Sequence, residues 1–157
     1  MVSLQGERNP KPFIQTPFTE SAPRFSPDGH WLAYTSNESG RPGVYVQPFP
    51  GPGGKWLIST DGGAEPIWSR NRRELFYRNG DKMMAVGVET EPTFKAATPR
   101  MLFERCGYGT GSRNYDVAPD GQRFLMLKQP AEETATPPQI VVVKHWVEEL
   151  KRLVPTN

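Results

Sequence analysis

A second cysteine is missing from this chain, and with it any internal disulfide: Cys106 stands alone. No histidine sits near it at a metal-ligand spacing, so it reads as a small buried or half-buried thiol. A chain without disulfides is compatible with either side of a membrane. Histidine is scarce too, with only His30 and His145. With no Gly-x-Ser-x-Gly elbow either, a nucleophile and its base would have to be assembled from unmarked residues. No apolar run reaches membrane-spanning length, and residues 1–20 lack a charged segment followed by an apolar signal core. An excess of one charge is absent as well: 19 Lys and Arg oppose 17 Asp and Glu, a formal net charge of +2. The longest basic run is the pair Arg72-Arg73, so no nucleic-acid footprint is visible and no membrane insertion by this segment is expected.

Turn formers and aromatics are plentiful. Seventeen prolines and 15 glycines are spread along 157 residues, which points to many short elements joined by tight turns and hence to an all-β fold. An aromatic fraction of 11% is enough to furnish a core. Internal self-similarity then decides the architecture. The segment Ala22-Pro23-Arg24-Phe25-Ser26-Pro27-Asp28-Gly29-His30-Trp31-Leu32-Ala33-Tyr34 aligns without a gap on 65–77 and on 114–126, placing Phe25, Trp68 and Val117 in one column. The period is roughly 40 to 50 residues, the length of a four-stranded propeller blade.

Within each copy the apolar spacing is two rather than 3.6. Leu32 and Tyr34 align with Leu75 and Tyr77 and with Phe124 and Met126, and the intervening Ala33, Phe76 and Leu125 are apolar as well. A strand apolar on both faces must be covered on both faces, as blades cover one another. Ser26-Pro27-Asp28-Gly29 is a type I turn signal. The second copy has Arg70-Asn71-Arg72 there, so Asn71 is expected to take any left-handed conformation. Further strands are expected at 43–47, 55–59, 82–88, 100–103 and 139–143. Residues 12–16 read as an outer strand left from a preceding blade. Trp146, Val147, Leu150, Leu153 and Val154 share one helical stripe, so a short amphipathic helix should close the chain. The expected layout is an N-terminal tail (1–12), three propeller blades within 13–143 (about 13–60, 61–106 and 107–143), and a C-terminal helix and tail (144–157).

The Phe/Trp/Val-Ser/Ala-Pro-Asp-Gly core followed by an apolar strand resembles the WD40-like Pro-Asp repeats of TolB-type propellers, over about residues 13 to 143. More narrowly, Leu32-Ala33-Tyr34-Thr35-Ser36-Asn37-Glu38-Ser39-Gly40, Val44-Tyr45-Val46-Gln47-Pro48-Phe49-Pro50, Glu74-Leu75-Phe76-Tyr77 and the ending 146–155 resemble propeller segments of large bacterial sensor proteins linked to serine/threonine kinases. The resemblance implies a periplasmic or extracytoplasmic setting and a ring of about six or more blades. It carries no kinase residue onto this chain. Three blades cannot close a ring alone, so a homo-oligomer or further blades upstream are the expected partners.

The function expected is a non-catalytic binding module for a protein, peptide or envelope ligand, with no catalytic, cofactor or metal residues. Two alternatives stand beside it: a hydrolase or lyase with an unmarked site in a propeller pocket, and a purely structural fragment of a larger propeller. Candidate contact residues are His30 after the first turn, the basic group Arg70, Arg72 and Arg73 with Arg78 nearby, and the loop aromatics Phe49, Trp56 and Tyr108. Each also has a bland reading as a solvated turn or a core side chain. The glycine-rich 107–112 lacks the Lys-Ser/Thr ending of a P-loop and reads as a connection between blades. The aspartates lack a calcium-loop spacing, and turn duty explains most of them.

Overall fold

The structure, a computed structural model, describes residues 9–104 and 114–127. Cys106, Tyr108, His145, the 107–112 segment, and the residues for which a strand (139–143) and a C-terminal helix were expected lie outside the described residues. Those described form an all-β arrangement of three antiparallel sheets, with no helix among them.

The first sheet is a meander of β1 (Glu20–Phe25), β2 (Trp31–Ser36), β3 (Gly43–Pro48) and β4 (Trp56–Leu57). The second contains β5 (Ala64–Trp68), β6 (Glu74–Asn79), β7 (Lys82–Glu89), β8 (Lys95–Ala96) and β9 (Arg100–Glu104). Here β8 and β9 share the outer edge of β7: β8 pairs at Val88 and Glu89, β9 along Lys82 to Ala85. Pro99 lies between these two pieces and has no N–H to offer a ladder, so the edge strand breaks there. The third sheet is the hairpin of β10 (Tyr115–Val117) and β11 (Phe124–Met126).

All three copies of the repeat make the same turn. The Ser26 N–H donates to Trp31 O at 2.8 Å and Gly29 N–H to Ser26 O at 2.9 Å; Ser69 to Glu74 and Arg72 to Ser69 repeat the pattern, as do Ala118 to Arg123 and Gly121 to Ala118. Gly29, Arg72 and Gly121 occupy one column with φ of 75°, 60° and 70°. Arg72, not Asn71, therefore takes the left-handed conformation, a correction to the sequence expectation. Asn71 instead does the work of Asp28: its Oδ1 accepts from the Ser69 hydroxyl and from the Arg73 N–H, as Asp28 Oδ1 accepts from Ser26 and from the His30 N–H. A short side-chain acceptor two residues after the serine is what this turn needs, and Asp and Asn both supply it.

The sheets lie face to face in chain order. Ala33, Val44 and Val46 of the first sheet meet Trp68, Leu75, Tyr77 and Val86 of the second in one buried cluster. The opposite face of the second sheet, Phe76, Met83 and Ala85, is covered by Tyr115, Val117, Phe124 and Met126 of the third. The period-two apolar strands on both faces thus have their explanation: the middle sheet is sandwiched. On the remaining face of the first sheet, Phe13 and Ile14 pack against Leu32, Tyr34 and Tyr45. Residues 12–16 form no strand, contrary to expectation, because no neighbouring strand offers them a ladder; they lie across the sheet through their apolar side chains.

Candidate functional site

The opening strands of the three sheets border one cavity of about 520 Å³, lined by Arg24, Ile67, Tyr115, Asp116, Leu125 and Leu127. Arg24, Ile67 and Asp116 share a repeat column, so the same backbone position aims a side chain at this cavity in every copy. A bulge precedes it in the first two sheets. Ladder register slips between Ser21 and Arg24 and again between Ala64 and Ile67, where the equivalent residues Ala22 and Glu65 adopt φ of 49° and 58°. Bulges re-aim the side chains that follow them, and here those side chains are Arg24 and Ile67.

Glu65 occupies the bulge itself. Its side chain is 17% exposed and Oε2 lies 4.0 Å from Nη1 of the buried Arg78; among the described residues Oε2 accepts no hydrogen bond. Burial pushes the Glu65 carboxyl above its ordinary range, and the Arg78 and Arg24 cations offset only part of this. The Glu65 backbone is used on both sides: its N–H donates to Thr35 Oγ1 of the first sheet at 3.1 Å, and its carbonyl accepts the Tyr115 hydroxyl of the third. Burial, and then the Glu65 charge, raise the Tyr115 phenol far above its ordinary value, so it remains a donor at any physiological pH. One residue of β5 thereby ties three sheets together next to the cavity.

The turns form a second surface. Asp28, with a side chain 11% exposed, accepts Arg72 Nη1 at 3.0 Å and stands 4.0 Å from His30 Nδ1. Burial alone would raise its carboxyl, but the hydrogen bonds from Ser26, the His30 N–H and Arg72 outweigh this and hold it below its usual value. Ser26 and His30 are each held by Asp28, an arrangement that braces a turn and is not the serine-on-histidine contact of a nucleophile pair.

Of the residues singled out by sequence, His30, Arg70, Arg72 and Arg73 are exposed on these turns. Arg78 is separated from them: it is buried on β6 against Glu65, so the basic group loses a member. Trp56 lies on β4 rather than on a loop, half-buried with Trp31 and Phe94 at ring distances of 5.6 and 5.1 Å. It packs at the edge of the core. Phe49 is half-buried between Phe13 and Phe25, edge-on to both at 4.9 and 4.7 Å. Sequence reasoning missed Arg24, Glu65, Tyr115 and Asp116. The signal was there: charged residues in the opening strand of each copy, where a covered strand would otherwise be apolar. Among the described residues no group of three or more His, Cys, Asp or Glu side chains could hold a metal ion. In comparisons with known proteins, no family model matches the chain and no curated protein does.

Proposed function

We propose that the three sheets are successive blades of a partial, TolB-like β-propeller and that the chain is a non-catalytic module binding a protein or peptide. The observation that carries this reading is the repeated column at the cavity: Arg24, Ile67 and Asp116, one from each copy, around a concavity of about 520 Å³. An acid, a base and an apolar residue on adjacent opening strands suit an extended peptide with charged and apolar side chains in alternation. The joints between sheets also support the blade reading, because at each one a side chain on the opening strand of the following sheet donates to a backbone carbonyl on the opening strand of the preceding sheet: the Trp68 indole N–H to Arg24 O, and the Tyr115 hydroxyl to Glu65 O. The tethered turn around Asp28 favours binding over hydrolysis.

The test is selection of phage-displayed random heptapeptides on the full chain, with Arg24→Ala and Asp116→Ala variants as counter-targets. Enriched peptides should carry an acid or a base, and should lose at least tenfold in affinity on one of the two variants. Enrichment indifferent to both substitutions sinks the cavity as the binding site.

A further inference from the structure

We infer that the chain pairs head to tail with a second copy of itself, the outer face of the third sheet in one copy seating on the outer face of the first sheet in the other. This rests on the blade reading and names the partner that completes it. Each joint inside the chain joins two unlike halves. The half facing the following sheet is built on the column Ala33, Phe76, Leu125; the half facing the preceding sheet is built on the column Phe25, Trp68, Val117. Where a neighbouring sheet is present these positions are closed or half-buried: Ala33 is 0% exposed, Phe76 1% and Trp68 7%, and Val117 is half-buried. At the two ends of the described stack the same columns are exposed, with Phe25 at 52%, although Phe13 and Ile14 cover the neighbouring Leu32 and Tyr34, and Leu125 at 71%.

The exposed ends are therefore the two complementary halves of a joint the chain already makes twice, and a second copy offers each end the half it lacks. The first sheet adds a receptive groove of about 540 Å³, lined by Phe13, Ile14, Phe25, Leu32, Tyr34 and Phe49. The third sheet adds Leu127, also exposed beside Leu125. The turns match in the same sense. Asp120 stands in the column of Asp28, which receives Arg72 at the first internal joint, and His30 stands in the column next to that of Arg72. A head-to-tail contact must close on itself or grow into a filament. Two copies of the three described sheets bring six, within the 4 to 8 blades typical of propellers, and the pair is the assembly inferred.

Light scattering on the eluting full chain, over a tenfold concentration range, should give twice the 17.7 kDa of one chain. Phe25→Arg and Leu125→Arg, both at exposed positions and each with an unchanged circular dichroism spectrum, should give single-chain mass. An equimolar mixture of the two should regain the double mass, because one joint of the mixed pair keeps both Phe25 and Leu125. A wild-type chain of single mass throughout overturns the pairing. So does a Leu125→Arg variant that remains double while Phe25→Arg does not, since like faces would then be meeting. The blade reading is checked separately in an Asp28→Cys, Arg72→Cys, Cys106→Ser chain. A short bifunctional maleimide should link the two turns within one chain. Linked chains of single mass lose the pairing alone; unlinked chains lose the blade reading and the pairing with it.

Discussion

Replacing Arg72 by alanine and by glycine separates two effects that the wild-type side chain combines. At φ of 60° Arg72 occupies backbone space that its column mates fill with glycine, a conformation costing a residue with a Cβ roughly 1 to 2 kcal/mol. Its guanidinium, 3.0 Å from a carboxylate that is 11% exposed, regains part of that. An ion pair with one exposed partner contributes up to about 1 kcal/mol. Alanine keeps the backbone cost and loses the pair, so it should destabilise by about 1 kcal/mol. Glycine loses the pair and also the cost, so it should lie within about 0.5 kcal/mol of wild type, once the greater freedom of glycine in the unfolded chain is subtracted. The order expected from urea unfolding is wild type near glycine, both above alanine. That reverses the usual preference for alanine over glycine. An alanine variant as stable as the glycine variant would refute the left-handed assignment. In an Asp28→Asn background the difference between arginine and alanine should shrink to a few tenths of a kcal/mol, leaving that between alanine and glycine intact.

Trp68→Phe should cost about 1 to 3 kcal/mol in the same assay, because it removes the donor to Arg24 O and part of a buried ring; no loss would mean that this joint is not closed in solution. Gly63→Ala should destabilise by about 1 to 3 kcal/mol, since an added Cβ would lie 2.7 Å from the buried Tyr77 ring, and calorimetry should find the melting point lowered by several degrees. Asp28 and Glu65 should pull stability in opposite directions with pH. Because the folded Asp28 carboxyl is held low, its contribution is present above its ordinary 3.8 and is lost on acidification through the folded value. Because the folded Glu65 carboxyl is raised, its contribution is present below its ordinary 4.5 and is lost as pH climbs through the folded value. Asp28→Asn should flatten the acid-side loss, and Glu65→Gln should abolish the decline above 4.5; urea titrations from pH 3 to 7 that keep the wild-type slopes would count against each assignment.

The all-β class, and the opening strands and turns of all three copies, were legible in the sequence because they depend on local signals: period-two apolar residues, Pro-Asp-Gly in the first and third copies, and the gapless alignment of the second copy on the first, although the left-handed residue of that second turn was misplaced. The four further expected strands that fall within the described residues are also present. What escaped depends on distant neighbours. The split of the outer edge into β8 and β9 needs the register on β7 as well as Pro99. Residues 12–16 have a strand-like sequence, but a strand needs a ladder partner. Trp56 looks like a loop aromatic until Trp31 and Phe94 are placed beside it. Arg78 counts as one more basic residue near Arg72 in the sequence, yet half a strand separates a solvated turn from a buried ion pair. At the cavity, the charged residues of the opening strands were visible in the sequence, but the bulges that precede Arg24 and Ile67 were not, because bulges leave no composition signature.

Among the described residues, every ladder in the first and third sheets joins strands consecutive in the chain, and only β9 steps past a neighbour in the second. Loop closure for each sheet is therefore short, although closing many distant contacts is what makes most all-β domains slow to fold. Each sheet can form soon after it is synthesised and present its following face as a template for the next. Assembly by this route would run from the amino terminus, one repeat at a time.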